Sequence, residues 1–300
     1  MAGWWGGGAR GGGPAAEAAA AAVALGPWAA QSLAGAAGGA AGLLGAQVLA
    51  RLARVSCATP VAAPVLGIAG LAASGALAGQ CAREVAEWGC SGRPPSLRSV
   101  AAGLADPGNR DRVALDAALG VALFAALGGR FRTVMPSDLR YPGANAVASL
   151  PAAGEAYIGE AQRQELQRFF QRFGCHHCGS RFGRVVGDHM PPNKYAHADP
   201  SRLLRGLRRV KPLRPVLRAL NLQGVRQRFY PQCGGCSQRQ AAAVRANRKS
   251  LAFHVAAVPA GALASCLVGL RHFDASVSAS AWCRRVGQSM GLGGSGSGSF

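Results

Sequence analysis

The sequence predicts a mainly α-helical protein with a small α+β module in its second half. Two observations lead to this fold class. Long runs without a charged residue, rich in Ala and Gly, occupy much of residues 28–150. Residues 151–250 instead carry two Cys-x-x-Cys pairs and most of the basic charge. The 300-residue chain is 49% hydrophobic and 15% charged, which excludes a wholly disordered protein.

Composition divides the chain into five segments. We expect a low-complexity N-terminal segment at 1–27, a helical, multi-pass membrane region at 28–150 and a basic module at 151–250. A hydrophobic helix that crosses the membrane is expected at 251–270 and a flexible, Gly/Ser-ending tail at 271–300.

Four runs of low charge are candidates for membrane helices. Residues 18–50, 55–82 and 250–270 contain no charged residue, and the run at 113–129 is interrupted only by Asp116. A bilayer core of about 30 Å needs roughly 20 apolar residues in a helix, so the three uninterrupted runs are long enough. The alternative is a soluble bundle of Ala-rich helices that pack closely through Gly.

The positions of the basic residues agree with insertion of the four runs into a membrane. Basic residues follow the first and third runs at 51–54 and 130–132, and precede the fourth at 245–249. If all four runs cross, these clusters lie on the same face, as expected for loops on the cytoplasmic or matrix side. The pattern therefore predicts a multi-pass membrane protein.

Residues 155–173 predict an amphipathic helix that precedes the first cysteine pair. Apolar residues, including Leu166, Phe169 and Phe173, recur at spacings of three and four with Glu and Arg between them. Gly174 is the expected stop. We expect the aromatic face of this helix to pack on a neighbouring element.

Two Cys-x-x-Cys pairs predict a zinc site. A two-residue spacing lets both sulfurs of a tight turn reach one ion, and two such pairs complete a tetrahedral Cys₄ structural site. The adjacent histidines inside the first pair, His176 and His177, are expected at the surface or behind the ligands. Free thiols, a disulfide or a redox-active first pair remain alternatives. The predicted zinc ligands are Cys175, Cys178, Cys233 and Cys236.

An Asp-His step lies between the two pairs. Val185 and Val186 predict a short strand that ends at Gly187, and Pro191 and Pro192 prevent a regular continuation. The intervening Asp188 and His189 would then stand side by side at the surface. An imidazole that titrates near neutrality and a hard carboxylate oxygen suit metal-assisted hydrolysis of a phosphodiester. The alternative is that Asp188 and His189 brace the zinc module.

Residues 174–244 resemble the HNH endonuclease family in its zinc-supported form, which is built on a treble-clef (ββα-metal) core. The resemblance rests on the order Cys-x-x-Cys, Asp-His-x-x-Pro and Cys-x-x-Cys. It implies that the cysteines hold structural zinc, that Asp188 holds a divalent ion such as Mg²⁺ or Mn²⁺, and that His189 is the general base. Ser237 stands where the family has an Asn or His ligand, and is the third candidate catalytic residue.

The segment 201–228 is basic and amphipathic, and contains no acidic residue. Arginines alternate with Leu and Val at near-helical spacing, and Pro212 and Pro215 interrupt the pattern. Such a segment can bind the phosphates of a nucleic acid or lie on an anionic membrane surface. The candidate nucleic-acid or lipid-binding residues are Arg202, Arg205, Arg208, Arg209, Lys211, Arg214 and Arg218.

Three functions follow from these patterns. The first is a membrane-associated, metal-dependent nuclease or nucleic-acid-binding module of the HNH type. The second is a non-catalytic multi-pass membrane protein whose Cys₄ zinc module is a structural platform for a partner or anionic lipid. The third is a thiol redox protein that uses Cys175 and Cys178.

Overall fold

The structure is a computed structural model that describes residues 14–91, 93–152, 158–192 and 227–272, together with Lys194 and Pro212. It is mainly helical, as the sequence predicts, with a few short strands. The helices are α1 (Pro14–Leu52), α2 (Ala62–Ser91), α3 (Leu97–Ala105), α4 (Arg110–Ala126), α5 (Glu160–Phe173), α6 (Gly234–Arg245) and α7 (Val258–Leu270). The strands are β1 (Ser137–Asp138), β2 (Leu150–Pro151), β3 (Val185–Met190), β4 (Arg228–Cys233) and β5 (Leu251–Ala252).

The chain forms two compact units, each assembled from separated stretches of sequence. The described residues of 1–40, 74–120 and 262–300 make up the first unit. The second unit comprises the described residues of 41–73 and 121–261, and it contains both cysteine pairs.

Two helical stretches are long and apolar enough to cross a membrane. They are Trp28–Leu52, with 25 residues and a mean hydropathy of 1.5, and Ala62–Gly89, with 28 residues and a mean hydropathy of 1.6. Buried residues make up 33% of the scored stretch in the first and 44% in the second, so both helices leave much apolar surface uncovered.

The two remaining runs do not support the multi-pass expectation. The third forms α4, which has 17 residues and carries both Asp111 and Asp116. The fourth forms α7, which has 13 residues, fewer than the roughly 20 that a bilayer core requires. Within the described chain, candidate spans are therefore restricted to the first two runs.

In the first unit, Asp116, the charged residue that interrupts the third run, forms a buried ion pair. Its carboxylate is fully buried and accepts a hydrogen bond at 2.7 Å from Arg83 Nη1, which is itself almost fully buried. Arg271 and His272 contact the same carboxylate. Gly79 lies directly against it, because a Cβ at that position would overlap Asp116 Oδ2. The absence of a side chain at Gly79 therefore leaves the space that the buried Arg83–Asp116 ion pair needs.

In the second unit, a three-stranded antiparallel sheet in the order β2-β4-β3 separates α5 from α6. Strands β3 and β4 pair along their whole lengths, from Val185 opposite Cys233 to Met190 opposite Arg228. Helix α5 packs on one face, where Leu166 lies beside Gly187. On the other face, Gln240 of α6 reaches Asp188. Successive strand residues point to opposite faces, which places the two helices on opposite sides.

The predicted helix before the first cysteine pair is confirmed over residues 160–173. Leu166 and Phe170 are its buried side chains. It ends at Gly174, whose φ of 78° is a left-handed conformation that favours glycine. The predicted helix also included residues 155–157, which lie outside the described residues.

Candidate metal centre

The four cysteines of the two pairs converge on one point. Their sulfur atoms all lie within 4.8 Å of one another, and Cys178 Sγ is 3.7 Å from Cys233 Sγ. A tetrahedral zinc ion with bonds of about 2.3 Å would separate its sulfur ligands by about 3.8 Å. None of these four cysteines forms a disulfide. The predicted cluster of Cys175, Cys178, Cys233 and Cys236 can therefore hold one metal ion.

The first pair is held in a tight turn that glycines close at both ends. Gly174 and Gly179 both have a φ of 78°. The Cys175 N–H donates to Ser180 O at 2.8 Å, and the Gly179 N–H donates to Cys175 O at 2.8 Å. A Cβ at Gly174 would overlap the carbonyl of Gly179, so the turn requires a glycine there for space as well as for conformation. This closure brings both thiols of the turn to the same side.

The second pair lies where a strand becomes a helix. Cys233 is the last residue of β4 and the N-cap of α6, and its Sγ accepts the Cys236 N–H at 3.4 Å. Backbone N–H groups at a helix N-terminus favour a negatively charged ligand, as a thiolate is. The same turn therefore positions the second pair of thiols and stabilises their deprotonated form.

Burial and mutual contact make the four thiols inequivalent. Cys175 and Cys236 are buried, with Leu139 and Phe170 packed in the same cluster. Hydrogen bonds with Cys175 and Cys236 lower the pKa of Cys178 to about 4. Hydrogen bonds with Cys175 and Cys178 raise the pKa of Cys236. The cluster thus favours one shared negative charge, and a cation at its centre would offset the repulsion among further thiolates.

Asp188 lies in a hydrogen-bond chain, here called the Asp188 network, that joins the first cysteine pair to α6. The Gly143 N–H donates to His176 Nδ1 at 3.2 Å, so the neutral ring carries its proton on Nε2. That Nε2–H donates to Asp188 Oδ2 at 3.1 Å, and Gln240 Nε2 donates to the same oxygen at 3.0 Å. Gln232 Nε2 donates to Gln240 Oε1 at 2.9 Å and extends the network.

The expectation that Asp188 and His189 stand side by side at the surface is wrong. Strand β3 continues past Gly187 to Met190, because its antiparallel pairing with β4 extends that far. Asp188 is therefore buried on the side of α6, where burial raises its pKa although hydrogen bonds with His176 and Gln240 oppose the shift. Adjacent strand positions place the His189 side chain on the other face.

His189 packs against its partner across the strand pair. Its ring centroid lies 4.4 Å from that of Phe229, which is opposite it in the register. Its Nε2 is buried and makes no hydrogen bond within the described chain. The third candidate catalytic residue, Ser237, is half-buried in the first turn of α6. Gln240, three residues later, is the α6 residue that contacts Asp188.

The adjacent histidines of the first pair are fully buried, which excludes a surface position and agrees with the alternative that they lie behind the ligands. They form a second group with Asp188 whose ligand atoms lie within 4.8 Å of one another. His176 is already committed at both ring nitrogens, which leaves it no free lone pair for an ion. Neither nitrogen of His177 has a hydrogen-bond partner within the described chain, and burial lowers its pKa well below the ordinary value.

Sequence reasoning missed the contacts that His176 and Gln240 make with Asp188. Both contact Asp188, but they lie 12 and 52 residues from it, and neither spacing is a recognisable signal. The only available indication was their proximity in sequence to the cysteine pairs. The candidate nucleic-acid or lipid-binding residues from Arg202 to Arg218 lie outside the described residues.

A scan against protein-family models, a search of curated proteins and a search of solved structures each found no match to this chain.

Proposed function

We propose that the chain is a membrane-associated protein whose Cys₄ centre holds a structural zinc ion and thereby maintains a basic platform for an anionic partner. The observation that carries this proposal is the convergence of four sulfur atoms within 4.8 Å. Thiolates are soft ligands that select zinc or iron–sulfur chemistry, and four cysteines in two tight turns suit a closed structural zinc site. A closed site leaves no open position for a substrate.

The Asp188 network supports a structural role for the Asp-His step. The buried carboxylate accepts two side-chain hydrogen bonds, and both of them satisfy the same oxygen, Oδ2. It links strand β3 to the turn of the first cysteine pair and to helix α6, which together carry three of the four cysteines. We infer that Asp188 maintains the arrangement that brings the two cysteine pairs together.

Membrane association is supported by the exposed apolar surface of the two candidate spans. A helix in the core of a soluble protein would be mostly buried, whereas less than half of either scored stretch is buried here. Leu49 and Leu52 are 68% and 76% exposed at the end of the first span. Such residues are stable in contact with lipid and are costly in water.

The proposal is tested by metal analysis of the full chain purified in detergent. We expect one zinc ion per chain, and loss of that ion together with a lower melting temperature in Cys233→Ser. Cys266→Ser is the matched control, because this half-buried cysteine lies outside the cluster. A wild-type chain without bound metal, or equal metal content in wild type and Cys233→Ser, would refute the structural zinc site. Full recovery of the wild-type chain in detergent-free buffer would refute membrane association.

A second candidate function is metal-dependent hydrolysis of nucleic acid by a module of the HNH type. One observation favours it: a cysteine turn, two antiparallel strands and a helix that begins at the second cysteine pair follow one another in the order of a treble clef. In this hypothesis His189, whose buried Nε2 is free of partners within the described chain, accepts a proton from the attacking water. A divalent ion at Asp188 would neutralise charge that develops on the phosphate.

The two candidates predict different results for the same variant. If the module is a nuclease, the full chain nicks supercoiled DNA or RNA in the presence of Mg²⁺ or Mn²⁺, and His189→Ala abolishes this activity while zinc is retained. If the module is a platform, neither wild type nor variant cleaves with either ion. The buried and doubly bonded state of Asp188 favours the platform.

A further inference from the structure

The second unit contains a cavity with a strongly basic lining. Its volume is about 760 Å³, and no acidic residue lines it. None of its basic residues takes part in an ion pair within the described chain. The basic residues that line it are Arg51, Arg54, Arg239, Arg248 and Lys249.

Contacts with backbone carbonyls and with an aromatic ring hold three of these side chains in place. Lys249 Nζ donates to Arg54 O at 2.5 Å, which joins the turn after α1 to the segment after α6. Arg239 Nη2 donates to Leu251 O at 3.1 Å. The guanidinium of Arg51 lies over the ring of Phe253, 5.0 Å from its centroid. The basic groups thus come from two separated parts of the sequence, and those of Arg51, Arg239 and Lys249 are oriented before any anion binds.

An apolar groove begins at the end of α1, beside the basic cavity. It has a volume of about 380 Å³ and lies between α1 and α2, and every residue that lines it is apolar. Leu49, Ala50 and Ala53 contribute to the groove, whereas Arg51 and Arg54 contribute to the basic cavity. The end of α1 therefore divides a charged site from an apolar one.

This boundary coincides with the end of a candidate membrane span. The stretch Trp28–Leu52 ends one residue after Arg51 and two residues before Arg54. Basic residues at the end of a membrane helix lie at the level of the lipid headgroups, and their alkyl chains extend along the apolar region. A ligand at this boundary would meet positive charge at one end and an apolar surface at the other.

We propose that the second unit binds an anionic phospholipid, with its phosphate headgroup in the basic cavity and one acyl chain in the apolar groove. The assignment rests on the proposed membrane association and names the partner of the platform. A soluble phosphate compound would use only the basic cavity. A nucleic acid would need a continuous basic track and would leave the groove unused.

The test is equilibrium binding of radiolabelled dioleoyl phosphatidic acid to the full chain in detergent. Removal of two basic residues in Arg54→Asn/Arg248→Gln should weaken binding about 25-fold, since each basic residue near anionic lipid contributes about fivefold. Asn at position 54 tolerates the left-handed backbone, where φ is 55°. The matched control, Arg163→Gln/Arg168→Gln on the exposed surface of α5, removes the same charge and should bind as wild type within twofold.

A second variant tests the groove alone. Gly45 lines the groove, and an added Cβ would have no neighbour within 4 Å, so the side chain of Gly45→Leu begins in open space and occupies part of the groove. We expect it to weaken binding of dioleoyl phosphatidic acid about tenfold. Dioleoyl phosphatidylcholine should bind at least tenfold more weakly than phosphatidic acid, because it carries no net negative charge. Zinc content measured on every variant separates loss of the lipid site from loss of the metal centre.

Three results would overturn the lipid assignment. Displacement of the lipid by millimolar inorganic phosphate, with wild-type affinity in Gly45→Leu, would assign the cavity to a soluble phosphate. Displacement by a short oligonucleotide at a lower concentration than unlabelled phosphatidic acid would assign it to nucleic acid. Equal weakening in the α5 control would show that net charge alone attracts the lipid. In each case, retention of zinc would show that the metal centre is intact and that only the lipid assignment has failed.

Discussion

The His176 Nε2–H donates to the Asp188 carboxylate at 3.1 Å, and this bond connects the turn of the first cysteine pair to strand β3. Gln240 adds a second bond to the same oxygen from α6. One buried carboxylate therefore joins the elements that carry three of the four cysteines: Cys175 and Cys178 in the turn, and Cys236 in the helix. This arrangement makes Asp188 the residue whose removal best separates a structural role from a catalytic one.

Replacement of Asp188 by Ala should lower the free energy of unfolding by about 3 kcal/mol. The His176 and Gln240 N–H groups would remain buried without an acceptor, and each such loss costs roughly 1–3 kcal/mol. Chemical denaturation monitored by circular dichroism measures the change, and zinc content should fall in parallel. Glu165→Ala, at a half-exposed position of α5, is the control and should change stability by less than about 0.5 kcal/mol. Full stability in Asp188→Ala would contradict the structural role.

Stability should fall as the pH decreases below about 6.5, in part because of His254. Burial lowers the pKa of His254, although its hydrogen bond with Met135 O acts in the opposite direction. Its Nε2–H donates to Met135 O and its Nδ1 accepts the Ala256 N–H, so the folded protein holds the neutral ring. Below an ordinary pKa of about 6.5, the unfolded chain binds a proton that the folded chain does not, which favours unfolding.

This dependence is measured by denaturant unfolding between pH 8 and pH 5, with zinc content determined at each pH. The contribution of one histidine is at most about 1.4 kcal/mol per pH unit. His254→Asn keeps an acceptor for the Ala256 N–H, and should be less stable at pH 8 but show a shallower slope below pH 6.5. His177 has a lowered pKa for the same reason, so part of the slope should remain. An identical slope in wild type and variant would argue against His254.

Asp116→Asn should destabilise the first unit by about 3 kcal/mol or more. The substitution leaves the guanidinium of Arg83 buried without its counter-charge, and breaking a buried ion pair on one side costs roughly 3–5 kcal/mol. Thermal unfolding of the full chain in detergent provides the measurement. Glu165→Gln breaks the exposed ion pair with Arg168 and should have almost no effect. A similar melting temperature for the two variants would show that the Asp116 pair adds little.

Gly79→Ala should also destabilise the first unit, in contrast to the usual benefit of Ala in a helix. A Cβ at position 79 would overlap the carboxylate of Asp116, so either that carboxylate would be displaced from Arg83 or α2 and α4 would have to separate. Gly45→Ala in α1 is the matched control, since nothing lies within 4 Å of its added Cβ, and it should stabilise by about 0.5–1 kcal/mol. Melting temperatures that move in opposite directions would confirm the close approach. A stabilised Gly79→Ala would contradict it.

Local spacing was sufficient to predict the cysteine turns and the helix before them. Two residues between cysteines, with Gly174 and Gly179 at the ends of the turn, limit the backbone to a tight turn whatever surrounds it. The amphipathic pattern that ends at Phe173 likewise depends on neighbours three and four residues apart. The charge-free runs identified two candidate spans by length and composition, which are properties of single helices.

Contacts between segments that are distant in sequence decided the features that local spacing did not predict. Strand β3 reaches Met190 because β4, 38 residues further along the chain, supplies its partners, and this extension buries Asp188 and turns His189 to the other face. Arg51 and Lys249, which are distant in sequence, line the same basic cavity. Asp116 contacts Arg83 because Gly79 leaves room for its carboxylate. The sequence by itself determined the four cysteines that can bind a metal and the abundance of basic side chains that can bind a phosphate or a lipid headgroup. Only the tertiary structure decided which of them meet, because contacts between distant segments depend on packing that no local spacing records.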